Sequence, residues 1–274
     1  MSEPAARALF AADLDGTLVD RADRVHPRDR EAIARARAAG VVVTIATGRL
    51  TSRTHPVARD LGLDAPLVCA DGGVIACGAT ERVLARRAIA VGEVERILGE
   101  LVRCGASSFV FTHEAIHGCE RGHAYHPYVS GWSHDITTHG DVLSAEIWRA
   151  GPVMVVGVAP REAADELAAA LAAVATEVEV LRFAGGGAEV FRFVSRGVDK
   201  GSGLADVARR LGVARERACV VGDWHNDVPM FDWAARSFAM AHAPDEVKQR
   251  ASDVLDPGEG AIARALDAWL AALD

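Results

Sequence analysis

The chain has 274 residues, half of them hydrophobic and a quarter charged, as in a globular protein long enough for one large cored domain or two smaller ones. A net charge of −8 argues against non-specific binding to nucleic acid or an anionic membrane, while a local basic pocket can still hold a small anion. Five cysteines, odd in number and without a C-x-x-C pair, indicate neither a disulfide framework nor a zinc ribbon, and a reducing cytoplasm is the expected compartment.

In chain order, the first residues carry Glu3 and too short an apolar stretch for a signal peptide. ALFAADLD then reads as a strand, PRDREAIARARAAG as a helix and VVVTIATG as a second strand. Residues 86 to 195 read differently: helix GEVERILGELVRC, strand SSFVFT, a His- and Gly-rich loop, strand PVMVVGVA, helix REAADELAAALAAVA, and strands EVEVLRF and AEVFRFV. The β-α rhythm resumes with GLADVARRLG, ACVVGD and VPMFDWAA, and GAIARALDAWLAALD closes the chain as an amphipathic helix. The continuous apolar character of VVVTIA and ACVVG suits a parallel sheet covered on both faces. The expected fold is therefore α/β, a Rossmann-like doubly wound parallel sheet formed by 1–85 and 196–274, with 86–195 inserted as an α+β domain. Apolar runs such as GPVMVVGVAP stop well short of the ~20 residues of a membrane-spanning helix, so no membrane partner is expected.

The inserted segment contains HEAIH at 113–117, an H-E-x-x-H pattern that in a helix offers zinc two histidines beside a general-base glutamate. Here the β-branched and aromatic SSFVFT precedes it and Gly118 follows at once, so the first histidine falls on a strand end. A zinc metalloprotease is consequently a minor reading. The histidines between 113 and 139 are more simply loop residues, some of them contacting substrate.

In an open α/β sheet, ligands gather beyond the carboxyl ends of the strands. Those ends carry Asp13, Asp15, Gly16 and Thr17 after the first strand, Thr47, Gly48 and Arg49 after the second, Asp71 after the third, and Asp223, Asn226 and Asp227 after a later one. Carboxylates converging without a cation repel one another, so a bound Mg2+ is the natural neutraliser, with Asp223 its obvious third ligand. Magnesium on hard oxygen ligands usually works on phosphate, which needs further donors. Lys200 stands at the start of a predicted helix, where ammonium and helix terminus both favour an anion. Thr47 with the Gly48 backbone N–H, and also Asn226, can bind phosphate oxygens. Asp227 has three open roles: capping its helix, holding Lys200, or touching the metal's water shell. Arg49 either lines the site or anchors its loop.

DLDGTL, IATGR, GVDKG and GDWHND, in that order, resemble the four motifs of the haloacid dehalogenase superfamily. The likeness is closest to its Cof-type phosphatases with a large α/β cap of subclass IIB, and NDVPMF, FAMAHAPDEVKQRASDVL and GEGAIARAL extend it to the C-terminal stretch. That resemblance implies a magnesium-dependent phosphatase for small phosphorylated metabolites, sugar phosphates foremost. Asp13 would attack phosphorus and form an aspartyl phosphate, and Asp15 would serve as acid and then base. Asp13, the Asp15 carbonyl and Asp223 would hold magnesium, with Asp227 nearby, while Thr47, Gly48, Lys200 and Asn226 would steady the phosphoryl oxygens. Asp15 favours phosphate transfer over dehalogenation, because a leaving alkoxide needs its proton. Two positions depart from the pattern: Asp71 and His242 both stand where many relatives carry asparagine. By the same resemblance residues 113–139 and Trp132 belong to a cap that closes over the site and selects the leaving group. A phosphomutase on the same core, and a catalytically silent metabolite-binding protein, are the alternatives.

Overall fold

The computed structural model describes residues 8–140, 147–185 and 187–273. The described chain forms two compact units, the first running to Gly48 and then comprising Thr54–Ala85 and the residues from Asp199 onward, the second Arg49–Arg53 and Arg86–Val198.

The first unit opens with β1 (Ala8–Ala12), buried throughout. Helix α1 (Pro27–Ala38) starts at proline, whose fixed φ suits the first helical position, and His26 caps it by accepting from Arg28 N–H. Strand β2 (Val41–Ile45), helix α2 (Thr51–Asp60) and strands β3 (Pro66–Cys69), β4 (Val74–Cys77) and β5 (Val83–Arg86) follow. The last three form a small sheet, in which β3 and β4 are antiparallel.

The second unit contains α3 (Val91–Arg103), β6 (Ser107–Phe111), β7 (Ile116–Cys119), α4 (His126–Val129), β8 (Ile136–His139), β9 (Met154–Ala159), α5 (Ala164–Val174), β10 (Val178–Gly185) and β11 (Ala188–Ser195). Its six-stranded sheet has the order β10-β11-β9-β6-β7-β8, antiparallel except for the parallel pair β7–β8. Ile97, Leu98 and Leu101 of α3 and Leu167 and Leu171 of α5 share one core with Val110, Val155, Phe191 and Phe193 of the sheet. On the opposite face Phe109 meets the His126 ring and Phe111 meets Trp132 edge-on. The segment expected as a His- and Gly-rich loop thus holds two strands and a short helix. HEAIH itself is a tight turn into β7: Thr112 Oγ1 accepts from Glu114 N–H at 3.3 Å and Ala115 N–H at 3.1 Å. His113 and His117 share no helical face, so the zincin arrangement is absent.

The chain returns to the first unit with α6 (Lys200–Leu211), β12 (Ala218–Gly222), α7 (Val228–Trp233), β13 (Arg236–Ala239), α8 (Asp245–Lys248), β14 (Asp253–Val254) and α9 (Ala261–Leu270). The principal sheet has the order β14-β13-β12-β1-β2 with every pairing parallel. Alternation along β1 explains its two coverings. Leu9 and Ala11 share a core with Leu204, Val207 and Met230 of α6 and α7, whereas Phe10 points the other way, with its ring 5.9 Å from Trp269 of α9. The fold is a doubly wound α/β sheet. From β1 the chain moves to β2 on one side, and only later does β12 occupy the other, so the strand order reverses between β1 and β12 and opens a crevice at their carboxyl ends. Among the described residues no helix is long and apolar enough to cross a membrane.

Candidate active site

Parallel pairing fixes which residues leave the sheet together. Asp13 N–H still donates to the Val221 carbonyl at 2.9 Å, so β1 and β12 end side by side and release Asp13 and Asp223 into the same crevice. After Asp13 the chain folds into a tight turn in which the Leu14 carbonyl accepts from Thr17, Leu18 and Val19 N–H. Gly16 makes that turn at φ 81°, and a Cβ there would stand 2.5 Å from Asp223 Oδ2. Asp15 lies in the turn and is exposed.

The carboxylates of Asp13, Asp223 and Asp227 offer oxygens within 4.8 Å of one another. Lys200 joins two of them, its Nζ donating at 2.6 Å to Asp13 Oδ1 and at 2.6 Å to Asp227 Oδ1. Its position comes from the start of α6, where Asp199 and Ser202 form a reciprocal capping box and Lys200 is the first helical residue. The ammonium is 1% exposed. Burial opposes its charge, but the carboxylates of Asp13, Asp227 and Asp71 outweigh that and raise its pKa. Asp13 is shifted upward, chiefly by burial and further by Asp227 and Asp223, against the pull of Lys200. Asp223 is raised for the same leading reason, with Asp227 adding to it and Lys200 and His242 opposing.

Asp227 contacts both the lysine and its own turn. Its Oδ1 is taken by Lys200, and its Oδ2 accepts from Asp223 N–H at 2.8 Å and Trp224 N–H at 2.9 Å. With both oxygens engaged, it shapes the turn after β12 and anchors the ammonium. Gly222 makes this possible, since a Cβ there would collide with the Asp227 side chain. Asp223 receives Thr17 Oγ1 at 3.2 Å on Oδ1 and lies 3.2 Å from His242 Nε2 through Oδ2. Sequence reasoning assigns Thr17 no role. Its signal is its place two residues beyond Asp15, where a turn at Gly16 folds it back toward the crevice.

Thr47 is buried at the end of β2, its N–H donating to the Val68 carbonyl and its own carbonyl accepting from Asp71 N–H. That backbone N–H is therefore engaged in the fold, and Gly48 is buried beside it. Asp71 sits in the left-handed region at φ 50°, ψ 37°, and Asn226 Nδ2 donates to its Oδ1 at 2.8 Å. Arg49 is buried and begins the 49–53 stretch of the second unit.

The arrangement suits a hard divalent cation. Three carboxylates cluster about one ammonium, so ionising all three leaves the site net negative, and every donor is an oxygen.

The family profile for haloacid dehalogenase-like hydrolases matches residues 10–266. A phosphoglycolate phosphatase of Haloarcula marismortui is 29% identical over 256 residues, covering 90% of each chain. The pyridoxal phosphate phosphatase YbhA of Escherichia coli is 25% identical over 90% of this chain and 92% of its own. Among solved structures, TM0651 from Thermotoga maritima superposes with a TM-score of 0.81 at 22% identity, covering 95% of this chain and 97% of that one. On the family match, which spans both ends of the first unit and the segment between them, the chain belongs to the haloacid dehalogenase-like hydrolases.

Proposed function

We propose that this hydrolase is a magnesium-dependent phosphatase that cleaves phosphate monoesters of small metabolites, sugar phosphates foremost, through an aspartyl phosphate on Asp13. The observation that carries the reading is the meeting of Asp13, Asp223 and Asp227 at the β1–β12 crevice with the Lys200 ammonium 2.6 Å from Asp13. Relatives named for phosphoglycolate and pyridoxal phosphate support a small phosphorylated molecule as substrate.

In this reading Asp13, Asp223 and the Asp15 carbonyl would hold Mg2+, which would supply positive charge against the carboxylates and the phosphoryl oxygens. Lys200 holds the Asp13 carboxylate in one orientation through Oδ1, so that one oxygen is presented for attack. That oxygen forms a bond to phosphorus as the bond to the leaving oxygen breaks, and Asp15 gives its proton to the departing alkoxide. Asp15, now a carboxylate, takes a proton from water as that water attacks phosphorus and frees Asp13 and inorganic phosphate. Thr47, Gly48, Lys200 and Asn226 donate to the phosphoryl oxygens, where charge accumulates. Asp227 acts by positioning Lys200.

The test is phosphate release from a panel of phosphorylated metabolites, with Mg2+ and with chelator, by the wild-type chain and by Asp13→Asn. Release that needs no sugar bisphosphate primer separates hydrolysis from mutase transfer. Normal turnover by a folded Asp13→Asn variant would remove the nucleophile and with it the proposed chemistry.

A further inference from the structure

Six of the ten histidines lie between residues 113 and 139, and the carboxylate centre uses none of them. Two are brought together by strand register. In the parallel pair β7–β8, His117 stands opposite Thr137 and Cys119 opposite His139, so His117 and His139 share one face of the sheet. His117 Nδ1 lies 3.2 Å from His139 Nε2. The ring centroids are 5.4 Å apart with planes inclined at 38°, so the rings meet nitrogen to nitrogen and are not stacked in parallel.

Two imidazole nitrogens at ~2.0–2.1 Å from one tetrahedral zinc stand about 3.3 Å apart. The observed separation matches that bite and lies at the long end for an N–H donor bond. Both side chains are half-buried, which leaves a face open for an ion and its waters. The His117 ring is pushed below the usual histidine range, first by burial and then by His139, against the pull of Glu114, and this favours the neutral form that a ligand requires. Among the described residues no third acidic, cysteine or histidine ligand atom completes a cluster with them, so water must fill the remaining positions.

We propose that His117 Nδ1 and His139 Nε2 form a binding site for a divalent transition ion of the zinc, copper and nickel class. Two nitrogen donors select such an ion over magnesium. Because β8 is the outer strand of its sheet, the ion would pin that edge to β7. This site is independent of the carboxylate centre and of its proposed chemistry.

The test is calorimetric titration of the metal-stripped full chain with zinc, for wild type, His117→Ala, His139→Ala, the more conservative His139→Gln, and His134→Ala as control. Wild type and His134→Ala should bind one equivalent more than the His117 and His139 variants, or bind it about tenfold or more tightly. Circular dichroism shows which variants keep the fold, and His139→Gln keeps the experiment decisive where an alanine does not. Equal zinc stoichiometry and affinity in wild type and the folded variants would mean a hydrogen-bonded histidine pair only. Equal loss in His134→Ala would make the binding non-specific. Either outcome overturns the proposal.

Discussion

Asn226 donates through Nδ2 to Oδ1 of Asp71 at 2.8 Å, joining the turn after β12 to the end of β3. Asp71 holds a left-handed backbone conformation that asparagine adopts at least as readily. Asp71→Asn should therefore keep both the turn and the hydrogen bond, since an amide oxygen accepts as a carboxylate oxygen does. What it removes is a negative charge that acts on Lys200. If a phosphate dianion docks against Lys200 and Asn226, KM should fall roughly two- to fivefold, as expected for up to ~1 kcal/mol of relieved repulsion. A rise in KM with kcat unchanged would instead mean that the carboxylate helps hold the substrate.

Lys200→Met should be among the most damaging single changes in the first unit. It leaves Asp13 and Asp227 buried without their shared cation. Breaking a buried pair in this way costs about 3–5 kcal/mol, enough to lower Tm by about 10 °C. Adding Asp13→Asn removes one orphaned charge and should recover part of that loss. A double variant no more stable than Lys200→Met would show that the buried charges are not the cause.

The elements legible in the sequence are those whose neighbours demand continuous apolar character. ALFAA, VVVTI and ACVVG are covered on both faces, and their composition says so. Strands β7 and β8 are not legible: ITTH is the edge strand, where polar side chains carry no penalty, and IHGC beside it is four residues long and broken by a histidine and a glycine, so neither shows a clear periodicity. β14 is two residues long and shows no pattern at all. In the site, strand ends point to Asp13, Asp223 and Asn226, and a helix start points to Lys200, because topology places them. The contacts of Thr17 and His242 with Asp223 are different, since they depend on how a turn at Gly16 and a distant loop fold back onto one carboxylate.

Magnesium should stabilise the chain if the carboxylates hold it. A ligand at about 100 times its Kd adds ~2.7 kcal/mol, which for a domain of this size raises Tm by about 5–10 °C. A thermal scan with Mg2+ and with EDTA measures this directly. Asp223→Asn, which keeps the size of the side chain, should abolish the shift. An equal shift in that variant would place the ion elsewhere.

Asp29 supplies a pH test away from the catalytic crevice. It is buried in the first turn of α1, where its Oδ1 accepts from Ala263 N–H at 2.8 Å and ties α1 to the start of α9. Burial raises its pKa, with the Ala263 hydrogen bond, His26 and Arg264 opposing in part. A carboxyl group whose pKa is higher folded than unfolded binds its proton more tightly in the folded state. Its contribution to stability is thus greatest below the unfolded value of ~4 and declines as pH rises through the elevated folded value. Asp29→Asn keeps the acceptor oxygen but cannot ionise. Urea unfolding at pH 4 and pH 7 should show the variant gaining on wild type as pH increases, with the difference constant above the folded pKa. An offset that is the same at both pH values would mean that Asp29 titrates alike in the folded and unfolded chain, and that the helix contact tolerates its charge without strain.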